Sequence, residues 1–180
     1  MKSICCMLMK KNALWLLISI AVFVLDQWTK NLVTAHFFYQ EVLPICSGFN
    51  LMLAHNNGAA FSFLAQMGGW QRWFFAAIAL GVSVVLTVWL LRLPASSSSF
   101  SPSRKGWLAL GLALLIGGAW GNLYDRLVLG YVVDFIDVYY GNYHWPAFNV
   151  ADSAITGGVI LLFFDAWLES RANKANEQKP

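Results

Sequence analysis

Four long apolar runs punctuate the polar positions of this chain. From Ala13 to Leu25 every residue except Ser19 is apolar, and the pattern continues through Asp26 and Lys30 to about Val33. Trp70 to Leu91 is a second run, bounded by Arg72 and Arg92, and Trp107 to about Tyr124 is a third, rich in glycine. A fourth extends from about Ala151 to Leu168. At a rise of about 1.5 Å per residue, helices of this length cross a hydrocarbon layer of roughly 30 Å. The pattern therefore predicts transmembrane spans at about 13–33, 70–91, 107–124 and 151–168, in one membrane domain over 1–180. Asp26 and Lys30 directly follow the first apolar core, and no small-x-small cleavage site is evident, so this run is expected to stay as a span rather than be removed as a leader.

Between the spans the periodicity changes. Segments 34–69 and 125–150 are mixed and read as extramembrane, with strands expected at Phe49–His55 and Tyr131–Tyr140. Asn56-Asn57-Gly58 is a turn signal, and Ala59–Ala65 is apolar enough to lie on the membrane surface. Nine of the twelve Lys and Arg fall in the N-terminal tail, the 92–105 stretch or the C-terminal tail, which places those regions in the cytoplasm. Lys30, Arg72 and Arg126 then lie at the outer face.

Composition agrees: 58% hydrophobic and 12% charged is far from a soluble balance. A net charge of +3 without a basic run interleaved with aromatics excludes a nucleic-acid partner. Cys5, Cys6 and Cys46 are an odd number without ligand spacing, and His36, His55 and His144 are scattered, so neither a disulfide framework nor a metal or cofactor site is expected.

With so few charges, the acidic residues near the spans need a reason, because an ionised group beside hydrocarbon is costly. The topology brings Asp26 and Lys30, then Asn122, Asp125 and Arg126, then Asp152, to one depth at the outer boundary. Bland roles compete: an i, i+4 ion pair for Asp26 and Lys30, an N-cap for Asp152, a structural pair for Asp125 and Arg126. Asp165, near the inner end of the fourth span, suits a snorkelling or solvated role. Asp134 and Asp137 are three apart, so on a strand they point to opposite faces and at most one faces a common partner, the other being surface-exposed. Spacing alone does not choose between them. Two carboxylates near one another fit acid and base work on water, since both cannot ionise readily. A transporter or proton channel would instead place charges at mid-depth in several spans, and a purely structural scaffold would tolerate their loss.

Five stretches carry a resemblance: Asp26-Gln27 with Lys30; Asn56-Asn57-Gly58-Ala59-Ala60-Phe61; Gly117-Gly118-Ala119 with Gly121-Asn122 and Asp125-Arg126; Val132-Val133-Asp134-Phe135; and Phe148-Asn149-Val150-Ala151-Asp152-Ser153. Together, and in this order, they resemble the motifs of the bacterial lipoprotein signal peptidase (signal peptidase II) family, over roughly Leu14 to Trp167. The resemblance implies a catalytic dyad of Asp134 and Asp152 rather than Asp137. It also implies a shell of Asn56, Gly58, Asn122, Arg126, Asn149 and Ala151, with Asp26, Lys30 and Asp125 in support. The expected fold is an all-α polytopic membrane protein, with a small extracytoplasmic sheet and a short surface helix from residues 37–67 and 128–148. The implied partners are diacylglyceryl-modified prolipoproteins, membrane lipid, and cyclic peptide inhibitors such as globomycin. The expected location is the bacterial inner membrane, and a complete dyad in one chain makes a monomer sufficient.

Overall fold

In the computed structural model, residues 12–58, 69–93 and 102–177 are described. The four apolar runs form helices α1 (Leu16–His36), α2 (Gln71–Arg92), α3 (Pro102–Val128) and α4 (Val150–Glu177), each long and apolar enough to cross a membrane. They begin and end within a few residues of the expected spans, except that α3 starts earlier and α4 runs nine residues past Leu168.

The helices are not equivalent. Within its most apolar stretch α3 is 67% buried, whereas the other three are 17–22% buried, so α3 is the hub and its neighbours face lipid. Glycine makes the hub possible. A Cβ on Gly117 would lie 2.7 Å from the Ser19 carbonyl of α1, and one on Gly118 would meet the Ala151 carbonyl of α4. Small residues let helix backbones approach in lipid, where packing replaces the hydrophobic drive. The approach on α1 is fixed by the Ser19 hydroxyl, which donates to the Ala113 carbonyl at 2.8 Å. Just before α1 begins, buried Asn12 donates to the carbonyls of Leu91 (3.3 Å) and Leu93 (2.9 Å), satisfying acceptors left open where α2 ends.

Between the spans lies an antiparallel sheet in sequence order: β1 (Val42–Cys46), β2 (Phe49–Asn56), β3 (Val132–Tyr140) and β4 (Tyr143–His144). The two expected strands match β2 and β3, and both β1 and β4 fall inside the expected sheet region. Gly130 and Gly141, at φ of +89° and +58°, make the turns entering and leaving β3, a backbone region that side chains disfavour. An irregularity in β2 between Leu51 and Ala54 sets Ala54 opposite Asp134 and Asn50 opposite Asp137. Val33, Leu53, Val133 and Phe135 form a small core that seats the sheet on the end of α1. The surface helix expected at Ala59–Ala65, most of the serine-rich stretch, and Cys5 and Cys6 lie outside the described residues. Cys46 is exposed and unpaired with another cysteine.

Candidate active site

Four elements converge where the sheet meets the bundle: β2, with Asn56, and three others. The end of α3 contributes Asn122, Asp125 and Arg126, β3 contributes Asp134, and the start of α4 contributes Asn149, Ala151 and Asp152. Ala54, Asn56, Asn122, Arg126, Asp134 and Asp152 line a cavity of about 390 Å³ closed on one side by Trp145–Phe148.

One asparagine links the two carboxylates. The fully buried Asn149 side chain donates to Asp134 Oδ1 at 2.7 Å, while its own backbone N–H donates to Asp152 Oδ2 at 3.3 Å. Its Oδ1 in turn accepts the Asp152 N–H at 2.9 Å, a reciprocal cap at the head of α4. Asn149, rather than Asp152 as expected, is therefore the N-cap of α4; Asp152 stands in the first turn, its carboxylate returns to the Asn149 N–H, and it faces the cavity as well. Asn56 Nδ2 donates to the second oxygen of Asp134 (3.1 Å), and Asn122 Nδ2 donates to Asp152 Oδ1 (2.7 Å). Among the described residues no cation is in ion-pair contact with either. Burial first, and the Asp152 carboxylate second, push Asp134 up to about 7.

Behind this pair sits a second cluster with a different composition. Lys30 Nζ lies 2.8 Å from Asp26 Oδ2 and 2.9 Å from Asp125 Oδ2, with all three side chains at most 3% exposed. The intrahelical pair is therefore present, but extended across helices. Lys30 also donates to Asn122 Oδ1 at 3.1 Å, so the amide that holds Asp152 is itself held by the ammonium. Gln27 Nε2 and the Val133 N–H donate to Asp125, and the Ala151 N–H donates to Asp26 at 2.9 Å. Ala151 thus enters through its backbone. Gln27 was missing from the expected site residues, although it stands in the first of the five motif stretches.

Other expectations are corrected. Asp125 and Arg126 do not form a pair: Asp125 turns to Lys30, while Arg126 reaches the carbonyls of Asn122 (3.2 Å) and Gly58 (2.9 Å) and lies over the Phe75 ring. Successive residues on a helix do not face each other. Asp137 is not surface-exposed. It does lie on the opposite face of β3 from Asp134, but it is 4% exposed and bound by Asn50 and His144. Asp165 is buried rather than solvated. His55, a wall of the cavity, stacks on Tyr131 at 4.0 Å and meets the Tyr39 ring at a tilt at 4.8 Å, and burial holds it below the ordinary imidazole value.

Comparison with known proteins bears on this arrangement. The model of the signal peptidase (SPase) II family matches residues 18–168. The lipoprotein signal peptidase of Acinetobacter baumannii (strain ATCC 17978) is 48% identical over 165 residues, covering 92% of this chain and 89% of the relative. That of Pseudomonas paraeruginosa (strain PA7) is 52% identical, covering 89% and 92%. A solved bacterial membrane enzyme superposes with a TM-score of 0.75 at 30% identity, covering 93% of this chain and 94% of its own. Four apolar spans, the small sheet and these matches lead to one assignment: the chain belongs to the signal peptidase II family.

Proposed function

We propose that this chain is an aspartic endopeptidase that removes signal peptides from diacylglyceryl-modified prolipoproteins, cutting just before the lipidated cysteine. The observation that carries the reading is the convergence of Asp134 and Asp152 on one cavity, linked through Asn149 and held by amides alone among the described residues. Amide donors fix the carboxyl groups in place without committing both to the charged form. Burial and the Asp152 carboxylate raise Asp134 to about 7, so the pair can hold one shared proton near neutrality, and the mechanism assigns it to Asp134.

The reaction then follows. Asp152 takes a proton from a water molecule as its oxygen attacks the scissile carbonyl, and Asp134 donates its proton to the carbonyl oxygen. The tetrahedral intermediate collapses as the proton now on Asp152 passes to the leaving amine of the cysteine and the hydroxyl proton returns to Asp134. One water is consumed, leaving a carboxyl terminus on the signal peptide and a free amine on the lipidated cysteine. Arg126 and Asn56 shape the cavity wall, Gly58 anchors Arg126, and Asp26, Lys30 and Asp125 brace the helices behind it.

The setting follows from the same geometry. The cavity lies where spans meet the sheet, so acyl chains can stay in lipid while the scissile peptide meets water. The distribution of Lys and Arg supports cytoplasmic termini, which puts the cavity at the outer face of the bacterial inner membrane. A single copy holds both carboxylates, so a monomer suffices, and a cyclic peptide such as globomycin would block the enzyme by filling the cavity. The test is cleavage of a diacylglyceryl-modified prolipoprotein by purified chain in detergent. Asp134→Asn and Asp152→Asn should each lower the rate by about 10²–10⁴-fold while remaining folded. Cutting by both at the wild-type rate would remove the dyad from the mechanism.

A further inference from the structure

Asp137 is a buried carboxylate for which the reaction has no use. It projects from the face of β3 opposite Asp134, accepts Asn50 Nδ2 at 2.7 Å, and takes His144 Nδ1 at 2.9 Å and 3.0 Å on its two oxygens. A buried carboxylate with so few donors depends on each of them. His144 is the exposed partner, with 54% of its side chain accessible against 5% for Asp137.

The position of His144 in the chain gives the pair a consequence. It ends β4, a strand of two residues whose register with β3 is Tyr139↔His144 and Tyr140↔Tyr143. A hairpin that short is weak on backbone bonds alone. Immediately after it come Trp145, Pro146, Ala147 and Phe148, all four on the wall of the cavity that holds Asp134 and Asp152. This strap returns to β3 through Trp145 N–H to the Val138 carbonyl (2.8 Å) and Phe148 N–H to the Ile136 carbonyl (3.1 Å). The next residue is Asn149, which links both carboxylates. The His144 ring also stacks on Tyr139 at 5.1 Å.

We propose that Asp137 and His144 are positioning residues: they latch the strap 145–148 onto β3 and so set how firmly the cavity grips its substrate. The inference rests on the peptidase reading for its substrate, but the latch can be measured without it. Asp134 is held from its own face by Asn56 and Asn149, so opening the latch loosens the wall and leaves the carboxylates in place.

The experiment uses the full chain in detergent, as wild type, His144→Phe, which keeps a ring against Tyr139 but no donor, and His144→Gln, whose amide can still reach Asp137. Hydrogen exchange should report opening of the Trp145 and Phe148 amides, about tenfold faster in His144→Phe and near wild type in His144→Gln. With a diacylglyceryl-modified prolipoprotein, KM should rise by a similar factor in His144→Phe while kcat stays within about twofold, and His144→Gln should recover most of the loss. Unchanged exchange in His144→Phe overturns the latch. Faster exchange with unchanged KM overturns its role in substrate grip, and a fall in kcat at constant KM does the same. If the wild type itself does not cut the prolipoprotein, the peptidase reading fails, while the exchange result still decides the latch.

Discussion

Two groups of carboxylates lie on either side of Asn122, and they are built on opposite rules. Asp26 and Asp125 share the Lys30 ammonium and complete their shells with Gln27 and backbone N–H groups. Asp134 and Asp152 receive side-chain amides and one backbone N–H, and no cation among the described residues. A buried counter-charge favours the ionised carboxylate, whereas a carboxyl held by neutral donors can gain or lose a proton without dismantling its surroundings. On the proposed mechanism partner type, more than burial, separates bracing from chemistry, since Asp26, Asp125 and Asp134 are all at most 2% exposed.

This contrast can be broken in graded steps. The largest effect belongs to the amide-held pair: Asp152→Asn should cost about 10²–10⁴-fold in cleavage rate with a near-normal melting midpoint. Next, Lys30→Met leaves two carboxylates without their cation, which should cost about 3–5 kcal/mol and show as a collapse of the melting midpoint in detergent. Adding Asp26→Asn and Asp125→Asn should restore part of it; no restoration would mean that Lys30 acts by packing rather than by charge.

Acidity gives the third step. Folded Asp134 keeps its proton to about 7, whereas the unfolded chain releases it near 3.8. The folded state binds more protons in that window, so the stability from Asp134 is fully present below about pH 4 and is lost as pH rises through about 7. Asp134→Asn should flatten the midpoint between pH 4 and 8, gaining on the order of a few kcal/mol at the upper end. A mutant curve as steep as the wild type would assign the slope to another group. The smallest effect is steric: a Cβ at Gly121 would sit 2.5 Å from Asp26 Oδ2, so Gly121→Ala should cost about 1–3 kcal/mol, read as a modest drop in midpoint.

How much of this the chain declares in advance depends on the range of the interaction. The spans were legible because hydrophobic runs are local, and so was the Asp26–Lys30 pair, one helical turn apart. Long-range partners were not. Adjacency pairs Asp125 with Arg126 in the sequence, yet its cation comes from α1. The burial of Asp137 is hidden in the sequence because nothing near it announces that a two-residue strand will fold His144 back over it. The choice of Asp134 over Asp137 could be made only from the motif resemblance. Their opposite faces were predictable, but which face looks into the cavity is decided by the tertiary fold.

Ala151 shows where such a fold would mislead a survey of tolerated substitutions. Its N–H serves Asp26, its carbonyl abuts Gly118, and its methyl group points at Gly121, so it is confined on three sides. Saturation mutagenesis should find this position nearly as intolerant as Asp152 itself, although its side chain has no proton to give or take. Intolerance to substitution would then mark a tight helix seam as well as the proposed reacting groups.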